Sequence, residues 1–403
     1  MAEAAPLSAG RRIAAVDVVR ALALFGVLLI NLMRHADIAI PGRVLARLPT
    51  ADIDRWLDPL LRWVWEGKAQ CLFSLLFGFG FALMIDRLER GGAAAGANYA
   101  RRLAVLLALG LAHLYLAWYG DILHVYALAG FGLLVFRRAP TGVLIGLGLT
   151  LSLFSGMASD LWLAAHPALD AQLAGADRLG RAARWSIWQG DDYGRFVAQM
   201  AQANWREYFA SPVFPALTAT ALGRFLLGAA IFRLGWPGEP EQARRLARRG
   251  LVILLPVGLL LSAVRPWIYA SGWPASDAQL LALELVDGAG QLALAAGWAA
   301  LAVWLARGGA ERGLAAVGRM ALTHYLSQSL VFLFVLYGFG LGWLRYDGAL
   351  FALTLALVVF SAQMAFSLWW LARFRLGPAE WLWRTLTYGR APPLRLRVED
   401  ATF

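Results

Sequence analysis

The sequence predicts an all-α fold, a single polytopic membrane domain over residues 1–403 with about ten transmembrane helices. Of the 403 residues, 60% are hydrophobic and only 16% are charged, whereas a soluble domain carries about 25% charged residues. Apolar runs of about 20 residues, long enough to cross a bilayer as a helix, recur along the whole chain. Basic residues cluster between these runs, so the net charge of +11 indicates membrane topology, and no nucleic-acid partner is expected.

Ten segments are predicted to span the membrane. Arginine clusters follow the second, fourth, sixth, eighth and tenth of them, which predicts that both termini lie in the cytoplasm. Residues 373–403 would form a basic cytoplasmic tail. The first apolar stretch is long enough to span and lacks a small-residue cleavage site after it, so it is predicted to be a retained helix. The predicted spans are residues 17–33, 68–85, 102–119, 121–136, 141–165, 212–233, 250–270, 279–306, 319–342 and 348–372.

Two segments on the predicted outer side, residues 34–66 and 166–211, are too long to be turns. The first ends in a stretch rich in Trp and Leu, and the second mixes Trp and Tyr with charged residues. This composition is typical of amphipathic helices in the headgroup layer. Interfacial anchoring explains such helices, since aromatic belts are general in membrane proteins. A lid or an acceptor platform over the outer face is the functional alternative.

The single cysteine and the absence of several known motifs exclude some kinds of functional site. The single cysteine, Cys71, lies in an apolar run, which excludes a disulfide within the chain and a cysteine zinc site. No Gly-rich phosphate loop, HExxH, GxSxG or EF-hand pattern occurs, and no metal is expected. Any chemistry must therefore come from polar residues placed within or beside the spans.

The first span carries polar residues on one face. Asp17 and Arg20 lie one turn apart near its start, and Asn31 falls close to the Arg20 face at 100° per residue. Ionisable residues in a membrane helix are rare unless they face protein or water. The first helix is therefore predicted to line a site and to carry polar groups toward both membrane surfaces.

The turn between the third and fourth spans holds a second polar group. His113 lies about two turns before Asp121, and His124 and Tyr126 start the next helix on the same side. A carboxylate that faces a histidine across a tight hairpin orients one imidazole nitrogen and leaves the other free as a base. A hydrogen-bonded packing role is the alternative interpretation, although an uncompensated carboxylate in a membrane is costly.

A third group is predicted at the cytoplasmic surface, where Arg102, Arg319 and Glu380 approach Asp17 and Arg20. Arg319 opens a polar stripe that runs one turn at a time into the ninth span and includes His324 and Gln328. Such a stripe either holds helices together or forms a pathway for a polar ligand whose phosphate the arginines receive.

Four ordered motifs, which together span nearly the whole chain, carry a resemblance to a known family. They are DVVRALALFGVLLIN, GDILHVYALAG, GRMALTHYLSQS and GPAEWLWRTLTYG. They look like those of the YeiB family of bacterial inner-membrane proteins, a resemblance that implies a fold more than an activity.

The first motif, an Asp, then Arg-Gly, then a downstream Asn, is also similar to that of the transmembrane acyltransferase superfamily. This superfamily includes heparan-α-glucosaminide N-acetyltransferase and bacterial O-acyltransferases. Asp17, Arg20 and Asn31 match the motif. Two positions depart from the pattern, since Ala21 replaces the Gly and His324 replaces the usual Asn of the ninth-span motif. The resemblance also implies a catalytic His after the first span, near His35.

The resemblance and the polar groups together predict an integral-membrane acyltransferase. It would move an acyl group from cytoplasmic acyl-CoA, such as acetyl-CoA, to a hydroxyl or amine of an extracytoplasmic glycan or lipid. The arginines hold the donor phosphates, Asp17 orients Arg20, His113 is the general base oriented by Asp121, and Asn31 donates to the developing oxyanion. A transporter or flippase for a small anionic solute or lipid and a non-catalytic scaffold are the alternatives. Membrane lipids are expected partners, and self-association stays open.

Overall fold

The computed structural model describes residues 9–90, 95–236, 240–271, 277–305 and 309–396. These residues form helices joined by short turns, and an isolated bridge between Phe374 and Arg395 is their one β-type pairing. The predicted all-α class is confirmed. The helices are α1 (Ala9–Ala39), α2 (Gly42–Leu45), α3 (Ala51–Trp65), α4 (Lys68–Arg90), α5 (Ala95–Leu116), α6 (Leu123–Val135), α7 (Thr141–Ala164), α8 (Pro167–Trp188), α9 (Tyr193–Ala203), α10 (Val213–Arg233), α11 (Pro240–Ser271), α12 (Asp277–Leu305), α13 (Gly309–Arg319), α14 (Ala321–Val335), α15 (Ala349–Leu371) and α16 (Pro378–Tyr388).

Eight of the described helical stretches are long and apolar enough to cross a membrane. They correspond to eight of the ten predicted spans. The other two predicted spans, the fourth and the ninth, coincide with the shorter apolar helices α6 and α14. The chain is thus a polytopic helix bundle, while the inner-membrane location and the cytoplasmic termini stay predictions. The end of the predicted tail, residues 397–403, lies outside the described residues.

The predicted ninth span, residues 319–342, is not one helix. The chain breaks at Met320, between α13 and α14, with φ −110° and ψ 31°. The new N-terminus of α14 is capped by the Glu380 carboxylate, which accepts hydrogen bonds from the backbone N–H groups of Leu322 (2.7 Å) and Thr323 (3.1 Å). A carboxylate at this position satisfies free N–H groups and complements the helix dipole. Glu380, about 60 residues further along the chain, therefore stabilises the break between α13 and α14.

The first helix is the central element of the bundle. It packs against α3, α4, α8, α12, α13, α14 and α15. Leu24, Leu28 and Leu32 on this helix have no exposed surface. Gly318 allows α13 to approach closely, since a Cβ there would overlap the backbone carbonyl of Asp17. A helix buried on most sides can hold polar groups only against other polar groups or a cavity.

The two long segments between predicted spans are helical. Residues 34–66 contain the end of α1, then α2 and α3, and Gly67, with φ +76°, separates α3 from α4. Residues 166–211 contain α8, α9 and a six-residue π-helix, Asn204–Phe209. Their predicted extracytoplasmic location is a matter of topology and stays a prediction. Single-turn π-helices occur often at functional sites, so this one bears on the site below.

Candidate functional site

A cavity of about 780 Å³, here called the main cavity, lies among α1, α4, α5, α6, α14 and α16. Along α1 it extends from Arg20 to Ile38, a rise of about 27 Å at 1.5 Å per residue. The hydrocarbon core of a bilayer is about 30 Å thick, so the main cavity covers much of that depth. Its two ends differ in chemistry. We call the end at Arg20 the basic end and the end beside the α5–α6 turn the hairpin end.

Four arginines line the basic end: Arg20, Arg102, Arg319 and Arg384. The Arg102 guanidinium lies 3.6 Å from the ring centroid of Trp383, a cation–π contact. Arg319 and Arg384 are exposed, and neither forms an ion pair or hydrogen bond within the described parts of the chain. This end therefore presents guanidinium groups that are free to receive an anion such as a phosphate.

The Asp17–Arg20 pair predicted from the sequence is present. Arg20 donates to the Asp17 carboxylate and to the Gly318 carbonyl, the second bond being 3.1 Å long. The Asp17 side chain is 5% exposed and the Arg20 side chain 27% exposed. Arg20 lines the main cavity and Asp17 lies behind it, so Asp17 is placed to orient the guanidinium.

Glu380, which caps α14, also lines the basic end. Its second oxygen accepts a hydrogen bond from the Thr323 hydroxyl at 2.5 Å. Burial raises the pKa of Glu380 above its usual value, although the hydrogen bonds to α14 oppose this shift. The closing motif of the sequence thus supplies the group that fixes the start of α14 beside the arginines.

At the hairpin end the predicted His113–Asp121 contact is confirmed, with 2.7 Å between His113 Nδ1 and Asp121 Oδ1. The expectation that the other imidazole nitrogen is free is wrong, because His113 Nε2 lies 2.8 Å from the Ser329 hydroxyl. Asp121 Oδ2 also accepts from His124, at 2.8 Å from Nδ1. Asp121 is on the cavity wall, whereas His113 is packed behind it and does not line the cavity. The sequence could not reveal Ser329, which comes from another helix.

Glu207, on the π-helix, also lines the hairpin end. Its Oε2 accepts from Arg184 Nη1 at 2.7 Å and from the Tyr119 hydroxyl at 3.4 Å. The Glu207 side chain is 9% exposed, and burial raises its pKa although Arg184 opposes the shift. Sequence reasoning missed this residue. The only signal was its place in a charged segment rich in Trp and Tyr.

Asn31 lines the main cavity on the same helix as Arg20. Within the described residues its side chain makes no hydrogen bond, so its amide is available to a ligand. His35, one turn further, does not line the cavity. It has no exposed surface, it is stacked on Trp118, and its Nδ1 donates to the Asn31 carbonyl at 2.8 Å. His35 Nε2 then accepts from the Tyr337 hydroxyl at 3.0 Å. The structure thus uses His35 as a core residue.

The polar stripe of α14 faces α15 and not the main cavity. His324 Nε2 lies 2.6 Å from the Ser367 hydroxyl, and Gln328 Nε2 donates to Gln363 at 3.3 Å. Both residues are buried, and neither lines the cavity. His324 and Gln328 therefore do not form the ligand pathway that was one prediction for this stripe. The stripe holds two helices together, the alternative that the sequence left open.

No group of three or more His, Cys, Asp or Glu side chains in the described ranges is placed to hold a metal ion. The main cavity therefore offers arginines, an amide, carboxyl groups and aromatic rings. Such a set binds anions at one end and polar neutral or proton-donating groups at the other.

The chain is similar to a known family and to whole proteins of bacteria. The family described as "Protein of unknown function (DUF418)" matches residues 231–390. The uncharacterised protein YxaH of Bacillus subtilis (strain 168) is 32% identical, over 99% of this chain and 100% of YxaH. The uncharacterised protein YeiB of Escherichia coli (strain K12) is 32% identical, over 94% of this chain and 96% of YeiB. No solved structure matches the chain.

Proposed function

The chain belongs to the YeiB family of membrane proteins, and from this premise we propose that it is a membrane acyltransferase that works through the main cavity. The acyl group would pass from acyl-CoA at the basic end to a hydroxyl or amine of a glycan or lipid at the hairpin end. The observation that carries the proposal is the continuous cavity with four arginines at one end and carboxyl groups at the other. A donor with phosphates and a long flexible arm fits that order of chemistry.

The donor side rests on the arginines. Arg20, Arg102 and Arg319 would bind the phosphates of acyl-CoA, since charge-assisted hydrogen bonds to phosphate are the strongest that these side chains make. Asp17 would hold Arg20 in place. Arg384, which the sequence did not single out, lines the same end and joins this group.

In the transfer step the thioester C–S bond breaks and a C–O or C–N bond to the acceptor forms. The acceptor proton moves to a base, and the leaving thiolate takes up a proton. The Asn31 amide would donate to the oxygen of the tetrahedral intermediate, which carries the developing negative charge. Neither His324, Gln328 nor His35 has a part in this scheme.

Two groups at the hairpin end compete for the role of base. Glu207 faces the cavity, and its raised pKa favours proton uptake. His113 is the base that the sequence favours, and it needs its Ser329 contact to open before Nε2 can accept a proton. The variants Glu207→Gln and His113→Ala separate the two assignments.

The test uses purified protein, labelled acetyl-CoA and a crude envelope glycolipid fraction as acceptor. We expect loss of the base to lower the rate of acyl transfer about 10² to 10⁴-fold, in Glu207→Gln or in His113→Ala.

Arg319→Gln should weaken donor binding. Its matched control is Arg312→Gln, because Arg312 is exposed on the same helix and does not line the cavity. Asp191→Asn, in the exposed turn before α9, controls for charge loss on the predicted outer side. Transfer at the wild-type rate by both base variants would remove the hairpin end from the mechanism.

A transporter or flippase for a small anionic solute or lipid is the second candidate. The same observation favours it, since a cavity of this depth with ionisable ends is also a transport pathway. The two functions differ in what they require. An enzyme transfers label in detergent, whereas a transporter moves solute only across a sealed membrane, so solute accumulation in proteoliposomes without any acyl product would select the transporter.

A further inference from the structure

A second cavity, of about 260 Å³, lies where the end of α1, the α2–α3 region and the start of α15 meet. The two cavities flank α1, because Arg34 and Ile38 line the main cavity and Met33 and Asp37 line this one. We call it the acidic cavity. Four carboxyl groups line it, those of Asp37, Asp54, Asp58 and Asp347.

Two of these carboxylates share one arginine. Arg62 donates to both oxygens of Asp37, at 2.9 and 2.8 Å, and to both oxygens of Asp58, at 2.8 and 3.0 Å. Such paired bonds are strong and directional. Because the Arg62 guanidinium is paired with both Asp37 and Asp58, it does not neutralise the other carboxyl groups of the cavity.

Asp54 is also engaged. It accepts from the Thr50 hydroxyl at 2.6 Å and from the Leu350 backbone N–H at 2.8 Å, which caps the start of α15. The other basic residue of the lining, Arg55, has a side chain that is 66% exposed. Its guanidinium lies 3.8 Å from the carboxylate of Asp52, a residue that does not line the cavity. Neither arginine of the lining therefore compensates the fourth carboxyl group.

That fourth group, Asp347, has no exposed surface, and neither of its oxygens has a hydrogen-bond partner within the described residues. Burial, reinforced by the negative charges of Asp37 and Asp54, raises the pKa of Asp347 well above its usual value. A buried carboxyl group without a partner is rare in native proteins, so Asp347 needs an explanation. The lining as a whole carries more acidic than basic groups.

We propose that the acidic cavity binds a primary ammonium group, which donates a hydrogen bond to Asp347 and compensates its charge. A bare metal ion fits less well, because no group of three or more acidic, His or Cys side chains in the described ranges is placed to coordinate one. The volume is also far larger than the roughly 30 Å³ share of one water in the liquid. The ammonium group belongs either to a soluble amine or to a lipid headgroup.

Binding is coupled to a proton. Burial and the charges of Asp37 and Asp54 favour the protonated form of Asp347, so an ammonium group that binds the carboxylate form displaces a proton. Affinity should therefore rise with pH while the amine stays protonated, and each binding event near neutral pH should release up to about one proton. Asp37 from α1, Asp54 from α3 and Tyr337 beyond α14 interact electrostatically with Asp347. The other charged groups of the lining are Arg55, Asp58 and Arg62 from α3.

The test is calorimetric titration of the purified protein with ethanolamine hydrochloride at constant ionic strength. Titration in two buffers of different ionisation enthalpy gives the number of protons released. We expect Asp347→Asn to weaken binding by at least about tenfold, the factor that one charge-assisted hydrogen bond contributes. Asp52→Asn is the matched control, since its side chain is 96% exposed on the neighbouring helix and it does not line the cavity. Its affinity should equal that of the wild type.

The source of the ammonium group is tested separately, in nanodiscs of phosphatidylethanolamine and of phosphatidylcholine. If the headgroup is the ligand, ethanolamine heats should vanish in the first lipid and persist in the second. If a soluble amine is the ligand, they should persist in both. Binding without proton release, equal heats with sodium or magnesium chloride, or unchanged affinity in Asp347→Asn would each overturn the proposal. The proton count needs only the wild-type protein, so it decides even if the variant does not fold.

Discussion

Separating the Asp17–Arg20 pair should destabilise the protein unequally, depending on which partner is removed. The Asp17 side chain is 5% exposed, and Arg20 is its hydrogen-bonded partner. Arg20→Gln therefore leaves a buried carboxylate unpaired, which costs about 3 to 5 kcal/mol. Asp17→Asn leaves an arginine that keeps its bond to the Gly318 carbonyl and opens to the main cavity. That change should cost about 1 to 2 kcal/mol.

The double variant should be no less stable than Asp17→Asn, so the coupling between the two sites equals the cost of Arg20→Gln, about 3 to 5 kcal/mol. Unfolding in mixed micelles of increasing sodium dodecyl sulfate measures it. Asp52 and Arg55 have the same spacing of three residues, but both are exposed, so solvent screening should make their coupling close to zero. If both single variants match the wild type, or if Asp17→Asn is the worse of the two, the pair is solvated and the reasoning fails.

Three further outcomes are expected. Glu380→Ala should destabilise by about 2 to 3 kcal/mol in the same assay, and Glu380→Gln by less, since the amide oxygen still caps α14. Gly78→Ala should cost about 1 to 3 kcal/mol, because a Cβ there would overlap the backbone of α10. With Cys71 replaced, a cysteine at Ala174 should react with an impermeant maleimide in intact cells and one at Glu89 should not. The reverse labelling pattern would overturn the predicted topology.

Much of the fold could be predicted because a bilayer imposes a simple rule on sequence. A helix must satisfy its own backbone groups and show apolar side chains to lipid over about 20 residues. The predicted spans at 141–165 and 212–233 agree with α7 and α10 to within one residue at each end. The predicted ninth span, residues 319–342, was too long, because α14 ends at Val335 and the chain turns before Gly342, which has φ +68°.

The candidate site was predicted in part for a similar reason. Spacing on one helix is fixed by its geometry, so the Asp17–Arg20 contact followed from the sequence. A tight turn also brings its two sides together, which predicted the contact of His113 with Asp121. Contacts between distant helices could not be predicted. One example is the hydrogen bond between the Ser329 hydroxyl on α14 and Nε2 of His113 on α5.

The sequence by itself determined the class of this protein, its helices and the polar groups that single helices and one hairpin carry. Those features depend on local geometry and on the apolar solvent around the bundle. Only the tertiary structure decided which polar groups share a cavity. It placed Glu207 on the cavity wall and His113 behind it, and it left Asp347 buried without a partner. The physical reason is that the packing of distant helices, and not spacing along one of them, decides which side chains lose water and which face it.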